Sequence, residues 1–276
     1  MANKSELMRI SHDVHVHTNL SSCSRDPEQT PTNILQKAAD LGLRTVGFTD
    51  HLWVSDLPGA SNWYRPQDEN HVLQIRSQLP AEQHSVRVLI GCESEFTGTA
   101  CGIDAARAEY FDFVLLPCTH FNLLNFVRPE HIVTASEQGA LLLERLDQVL
   151  DYDFVTGIAH PFVAAHQGHI HDEMCRFLLQ SDQLSRCLDK AAEKRISLEI
   201  TKGYFPQLFG KEDAQFHDES VMPILEKARR AGCLFHFASD AHELRDFGTV
   251  LQMQPLADQL CLREEDIHPL FRDPAA

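Results

Sequence analysis

The stretch His12-Asp-Val-His15-Val-His17-Thr18 decides the fold of this chain. Valines alternate with histidines, and this period of two predicts a short β-strand over residues 12–17 in which His15 and His17 share one face. Two imidazoles on one face at the end of an apolar strand indicate a metal site, to which other strands of the same sheet would have to contribute.

The same arrangement, a short apolar run that leads into a metal-binding type of residue, recurs along the chain. The further predicted strands are mostly rich in Val, Ile and Phe and are short enough for buried parallel strands. They cover residues 45–49, 86–93, 113–119, 154–159, 196–200 and 233–239.

Helical periodicity fills the intervals between the predicted strands. Thr30-Pro31 predicts the start of a first helix and Gly42 its end. Apolar stripes predict three more helices, over residues 129–150, 172–194 and 218–231.

Strand followed by helix, repeated about seven times, predicts an α/β protein with a parallel sheet. In a chain of 276 residues this favours a closed, TIM-like parallel (β/α)7 barrel over an open sheet. The prediction is one domain over residues 1–276, with its core at about 11–250 and a C-terminal helix and tail over 251–276.

Polar residues at the predicted strand ends support closure, because the C-terminal ends of parallel barrel strands surround one mouth. Imidazole and carboxylate donors suit Zn, Mn or Fe. They exceed what one tetrahedral ion can use, so a cluster of two or three divalent ions is predicted, with Glu93 as a bridge. The strand-end residues are His15, His17, Asp50, His51, Glu93, Glu95, His120, His160, Asp240 and His242.

Charge and composition restrict the partners. The formal net charge of −16 is opposite in sign to that of a general nucleic-acid binder. A small phosphorylated substrate stays compatible with it, because bound cations invert the local field. We expect no stable nucleic-acid partner, and no membrane partner because no apolar run approaches about 20 residues.

The expected compartment is the cytoplasm. The first twelve residues lack the apolar core of a signal peptide. Eight cysteines are scattered without a CxxC pair, which favours free thiols over a disulfide framework. The pattern does not predict an oligomeric state.

In these motifs the sequence resembles the PHP (polymerase and histidinol phosphatase) family of metal-dependent phosphoesterases. The resemblance runs in the family's order from about residue 11 to residue 250, and it implies a distorted barrel of seven βα units with three metal ions. The matching stretches are Asp13-Val-His15-Val-His17-Thr18, Gly47-Phe-Thr-Asp50-His51, Gly91-Cys-Glu93, Thr119-His120, Ala159-His160-Pro161 and Ser239-Asp240-Ala-His242.

The resemblance also implies how the ligands divide among the ions. The implied sets are His15, His17, Glu93 and Asp240 for the first ion, Glu93, His120 and His160 for the second, and His51 with His242 for the third. The family places one more His or Asp ligand to the third ion five or six residues after the HxH pair. Here Cys23 takes the sixth place. A thiolate ligand and an ordinary loop thiol are the two interpretations.

The expected function is hydrolysis of a small phosphomonoester, such as histidinol phosphate, by a hydroxide that bridges two metal ions. Asp240 is the predicted proton acceptor for the bridging water. Lys202, after the sixth strand, and Arg245 are candidate phosphate ligands, with solvated surface residues as the alternative for both. Glu199 is expected to support the metal ligands from behind.

Three other functions stay open from the sequence. A phosphodiesterase or nuclease acting on short oligonucleotides or cyclic phosphates needs the same metals, although the acidic charge disfavours it. Metal-dependent amidohydrolases share the barrel and the HxH motif but usually add a strand-end lysine, and none precedes Lys202. A non-catalytic metal-binding scaffold would have lost several ligands, whereas only the Cys23 position departs from the pattern.

The remaining histidines and the tryptophans have weaker interpretations. His236 is expected in the barrel core. Trp53 and Trp63 flank a long loop after the second strand, where they either stack on a substrate or hold the loop down. The histidines expected in solvated loops or at the surface are His71, His84, His131, His166, His169, His171, His217 and His268.

Overall fold

A parallel β-sheet, wound into a nearly closed barrel, forms the centre of the molecule. The computed structural model describes residues 7–81, 86–163 and 166–273. The strands are β1 (His12–Val16), β2 (Thr45–Phe48), β3 (His51–Leu52), β4 (Arg87–Ser94), β5 (Phe113–Pro117), β6 (Gly157–Ala159), β7 (Ser197–Thr201) and β8 (Phe235–Ala238). They pair in the order β1-β2-β4-β5-β6-β7-β8, and the short β3 continues from β2 along β4. The predicted TIM-like (β/α)7 barrel is confirmed.

The seam between β1 and β8 closes the barrel with a few specific contacts. Val16 and Ala241 form a parallel bridge, and the backbone N–H of His17 donates to the carbonyl of Ala241 at 3.1 Å. Below this bridge, Nε2 of His12 accepts from the N–H of Phe237 at 2.9 Å. Side chains thus satisfy backbone groups where a regular ladder is missing.

Helices cover the outside of the barrel. They are α1 (Pro31–Leu41), α2 (Glu69–Val72), α3 (Ile75–Gln78), α4 (Ala105–Ala108), α5 (Ala135–Val149), α6 (Gly168–Gln180), α7 (Asp182–Lys194), α8 (Met222–Arg230) and α9 (Gln254–Gln259). The predicted limits of α1 hold: Oγ1 of Thr30 accepts from the N–H of Asn33, and Gly42 ends the helix at φ 75°. No helix in these described ranges is long and apolar enough to cross a membrane.

Two predicted helices differ from the observed ones because local capping decides the boundaries. The helix predicted from residue 129 starts at Ala135, after a capping box between Thr134 and Glu137. The helix predicted over 172–194 is two helices, because Ser181 ends α6 in an extended conformation and caps α7 through its hydroxyl.

The expectation that His169 and His171 lie in a solvated loop is wrong. Both belong to α6, and His171 is buried against the ring of Phe216 at 4.3 Å between centroids. Burial lowers the pKa of His171 to about 4, so the imidazole is neutral. His84, expected at the surface, falls outside the described residues.

The C-terminal segment packs against the N-terminal end of the barrel. After the short α9, the chain forms two 3₁₀ turns, and Ile267 forms a parallel bridge to Phe235 of β8. The buried ring of Phe271 then packs against Phe113 and His236. These residues fill the N-terminal end of the barrel, opposite the strand ends that carry the metal-binding residues.

Two glycines give Phe113 its space inside the barrel. A Cβ at Gly91 of β4 would lie 2.5 Å from the Phe113 ring, and one at Gly47 of β2 would lie 2.8 Å from it. Both distances are below van der Waals contact, so these positions accept no side chain while the ring stays in place.

Replacing Gly91 by alanine should lower the free energy of unfolding by about 1–3 kcal/mol, because the added methyl overpacks the core. Chemical denaturation at equilibrium measures this. Gly203→Ala is the matched control, since its nearest new neighbour would be at 3.6 Å. Equal stability of the two variants would show that Phe113 moves aside without cost.

Candidate metal centre

The carboxylate of Glu93, near the end of β4, lies at the centre of the barrel mouth and is 1% exposed. Five imidazoles from four other strand ends surround it. The distances from its oxygens are 3.0 Å to Nδ1 of His51, 3.1 Å to Nε2 of His160, 3.2 Å to Nε2 of His15, 3.5 Å to Nε2 of His17 and 3.6 Å to Nε2 of His120. The structure thus brings together side chains that are up to 145 positions apart in the sequence, from His15 to His160.

Three groups of donor atoms arise from this arrangement, and within each group the donors lie within 4.8 Å of one another. The groups are His15, His17 and Glu93; Glu93, His120 and His160; and His17, Cys23, His51 and His242. They correspond closely to the three ligand sets that the resemblance implies. The differences are that Asp240 is absent from the first group, that His17 belongs to two groups and that Cys23 joins the third.

Asp240 lies beside the first group. Its Oδ1 is 3.2 Å from Nε2 of His17 and 3.6 Å from Nε2 of His15. Its backbone has φ 51°, which is uncommon for a residue other than glycine, and His160 has φ 32°. Strained backbone of this kind concentrates at functional sites, because the surrounding structure must hold it in place.

Carboxylates hold two of the histidines in one orientation. Nδ1 of His15 donates to Glu199 at 2.8 Å, and Nδ1 of His120 donates to Glu95 at 2.7 Å. An ionised carboxylate only accepts, so Nδ1 of each ring carries a proton, and in the neutral ring Nε2 is left with a lone pair for a metal ion. Burial opposes ionisation of Glu199, but His15 and His236 outweigh it and lower the pKa of Glu199 to about 2.

Neutral partners orient two other imidazoles. Nδ1 of His160 lies 3.0 Å from the hydroxyl of Thr119, and Nδ1 of His242 lies 2.9 Å from the carbonyl of Asp240. Contacts of this type to the far nitrogen are usual for metal-bound histidines. The predicted supporting position of Glu199 is therefore observed, while the contacts of Glu95 and Thr119 were not predicted.

The donor set fits divalent metal ions. When His15 is neutral, the lone pair of its Nε2 faces a carboxylate oxygen, which is repulsive unless a metal ion lies between them. Nε2 of His15 and Nδ1 of His17 and of His51 are buried and have no hydrogen-bond partner among the described residues. Orphaned imidazole nitrogens around a buried carboxylate are a composition that Zn, Mn and Fe accept.

Two strand-end residues have structural roles instead. Asp50 accepts from both the N–H and the hydroxyl of Thr18 at 2.6 Å, so its carboxylate fastens the segment after β1. His236 lies buried below the site, 2.9 Å from the hydroxyl of Ser197 and 3.4 Å from Glu199, as expected for a core histidine.

A cavity of about 330 Å³ lies directly above the donor groups. Apolar side chains form part of its wall, and polar side chains bring hydrogen-bonding groups to it. Besides metal-binding residues, its lining includes Trp63, Tyr64, Asn122, Leu123, Val163, His166, Thr201, Lys202, Gly203 and Ser239. Its size suits a small molecule.

The two tryptophans have different positions. Trp53 is buried, and its indole N–H donates to the carbonyl of Leu57, so it holds the loop down. Trp63 is 40% exposed and lines the cavity, with its ring edge-on to His51 at 5.0 Å between centroids. Trp53 therefore meets the interpretation that the loop is held down, and the stacking of Trp63 on a substrate stays a prediction.

The two candidate phosphate ligands also differ in their position relative to the cavity. Lys202 lines the cavity, and its Nζ is 3.3 Å from Asp246. Arg245 has a side chain that is 79% exposed, pairs with Glu243 and is not among the residues that line the cavity. Nothing in this position brings its guanidinium to the metal centre.

The sequence matches the model of the PHP domain family over residues 13–203, which is more than half of the chain. The match ends before Asp240 and His242, which the structure itself brings to the site. No curated protein matches the sequence significantly.

Solved structures of similar fold include phosphatases. A histidinol phosphate phosphatase from Lactococcus lactis, complexed with zinc, L-histidinol and phosphate, has a TM-score of 0.62 at 20% identity, over 93% of this chain and 95% of that one. Metal-dependent tyrosine phosphatases from Bacillus subtilis and Streptococcus pneumoniae are represented at a TM-score of 0.44 and 17% identity, over 91% of this chain and 89% of that one.

The family match and the strand-end motifs thus indicate the same protein family: the chain belongs to the PHP domain family and is a metal-dependent phosphoesterase.

Proposed function

We propose that this enzyme hydrolyses a small phosphomonoester, with two or three divalent transition-metal ions held around Glu93. The observation that carries the proposal is the cavity of about 330 Å³ whose floor includes the proposed metal ligands His51, His120, His160, Asp240 and His242. A phosphate group on that floor would meet the ions, and the rest of a small substrate would fill the cavity.

The proposed metal ligands are His15, His17, His51, Glu93, His120, His160, Asp240 and His242. Bound there, Zn, Mn or Fe ions would supply a water activated at neutral pH and would neutralise charge on the phosphoryl group. Glu93, whose two oxygens face different histidines, serves as the bridge.

Residues of the chain supply binding and proton transfer. Lys202 is our proposed ligand to a phosphate oxygen, because it is the lysine or arginine that lines the cavity among the described residues. Asp240 is the carboxylate that lines the same cavity among the described residues, so its free oxygen is our proposed acceptor for the proton of the attacking water.

The apolar wall suggests the leaving group. Trp63, Leu123 and Val163 offer a surface on which a flat ring or short carbon chain can pack. Histidinol phosphate has such a ring, and the Lactococcus lactis enzyme of similar fold was solved with L-histidinol and phosphate. Histidinol phosphate is therefore the first substrate to test.

A nuclease or phosphodiesterase is the second candidate, because the same metals serve it. The small cavity and the formal net charge of −16 both disfavour a long polyanion. Hydrolysis of a diester by the purified enzyme, at a rate that exceeds monoester hydrolysis, would overturn the monoester proposal.

Elemental analysis of the purified protein should give about two to three metal equivalents. Hydrolysis of an aryl phosphate should stop after chelation and return with Mn or Zn. Glu93→Gln should lower kcat/KM by more than about 100-fold, since it removes a shared ligand. Glu144→Gln, an exposed change on α5, is the control. Fewer than about one equivalent after reconstitution would contradict the cluster.

Glu199 should act through His15 without touching substrate. Glu199→Gln keeps an acceptor for Nδ1 but loses the charge, so we expect metal affinity to fall by about 10-fold, and by about 100-fold in Glu199→Ala. Competition with a chelator of known affinity measures both values. If both variants bind metal as tightly as the wild type, His15 needs no support from this carboxylate.

Lys202→Met should raise KM for a phosphomonoester by about tenfold and change kcat less, because one charge-assisted hydrogen bond to phosphate is lost. Steady-state kinetics separates the two parameters. Lys194→Met is the matched control: this lysine pairs with Asp153 on the outside of the barrel. An unchanged KM would remove Lys202 from the binding site.

A further inference from the structure

We propose that Cys23 completes a four-donor site that takes a thiophilic ion and differs in chemistry from the two sites that share Glu93. The other donors are His17 at the end of β1, His51 in β3 and His242 after β8. The resemblance supplies a His or Asp at the place of Cys23, so the thiolate is a property of this chain.

The number of protein donors distinguishes this group from the other two. Four donor atoms lie within 4.8 Å of one another here, whereas each group that contains Glu93 has three. Four donors satisfy a tetrahedral ion, while three leave a position for water or substrate. The Cys23 group therefore has enough protein donors for a tetrahedral ion when His17 serves it, and the Glu93 groups leave positions for the chemistry.

An unpartnered nitrogen supports an ion in this place. His17 is fully buried and its Nδ1 lacks a hydrogen-bond partner among the described residues, whereas Nδ1 of His51, which is 6% exposed, faces Glu93 at 3.0 Å. Their rings stack on one another at 4.6 Å, and the ring of His242 lies 4.4 Å from that of His17. Neutral imidazoles this close together offer nitrogen lone pairs to a single bound cation.

The sulfur atom itself is held in place. Oγ of Ser21, which is 3% exposed, lies 3.1 Å from Sγ of Cys23, and the same hydroxyl donates to Oε1 of Gln67 at 3.3 Å. Gln67 fixes the same loop, since its Oε1 accepts from the N–H of Ser22 at 2.8 Å. The thiol therefore has one defined position and does not belong to a loose surface loop.

Contacts beside the site join its two loops without help from an ion. The hydroxyl of Ser24 donates to the carbonyl of His242 at 2.8 Å, and Asp26 accepts from the N–H of Leu244 at 2.9 Å. The donors are therefore preorganised, and binding an ion needs little ordering of the chain.

The softness of the thiolate ligand determines which metal ion the Cys23 site prefers. A thiolate favours Zn or Co over Mn, whereas the carboxylate-bridged pair accepts Mn readily. We expect the protein to retain Zn at the Cys23 site under conditions in which Mn exchanges at the Glu93 sites. The resting enzyme would then carry two kinds of metal.

Cobalt substitution tests this without reference to catalysis, because a cobalt–thiolate bond gives a near-ultraviolet charge-transfer band. The Co-loaded wild-type protein should show the band, and Cys23→Ser should lose it and retain about one metal equivalent fewer after dialysis against a weak chelator. Cys101→Ser, which removes another half-buried thiol, should keep both properties.

Two results would overturn the proposal: full cobalt loading of the wild type without the band, or an unchanged band in Cys23→Ser. Circular dichroism of the serine variant shows whether it is folded. The outcome is independent of the proposed function, since an enzyme inactive on phosphomonoesters would still show the band if Cys23 binds metal.

Discussion

The buried carboxylate of Glu93 is the constraint on which the rest of the site depends. An ionised carboxylate at 1% exposure is costly unless it is compensated, and here five imidazoles within 3.6 Å surround it. Nδ1 of His15 and of His120 donates elsewhere, so Nε2 of these rings can donate to Glu93 only if the ring carries a second proton. Metal ions between the donors would supply the positive charge that the carboxylate needs while the rings stay neutral.

The barrel delivers these groups because parallel strands all end on one side. Glu93 comes from the middle of the sheet, and the β1–β8 seam brings His17 next to Asp240. Since the seam is held by Val16 and Ala241 and not by a full ladder, the residues after β8 can leave the strand direction. Asp240 accordingly has a positive φ, which directs its side chain into the mouth of the barrel.

Much of the fold and of the metal-binding site could be predicted from the sequence, because strand ends and the residue types of metal ligands are local features. His15 and His17 show their common face by alternation, and the strand order follows from the alternation with helices. Contacts between residues that are distant in the sequence could not be predicted. The break at Ser181 depends on one cap, and the burial of His171 depends on Phe216, which lies 45 residues away in the sequence. Arg245 has a position in the sequence that is typical of a phosphate ligand, yet its side chain is exposed to solvent.

The net charge of the metal centre relates the number of bound ions to the charge of the substrate. Glu93, Asp240, Glu95 and Glu199 contribute four carboxylates to the ligands and their immediate supports. Two divalent ions would balance these four charges and leave no surplus for an anionic substrate. A third ion with the Cys23 thiolate would add one net positive charge. With Lys202 at the rim, that surplus would make the mouth attractive to a phosphate dianion, although the protein as a whole carries a formal net charge of −16.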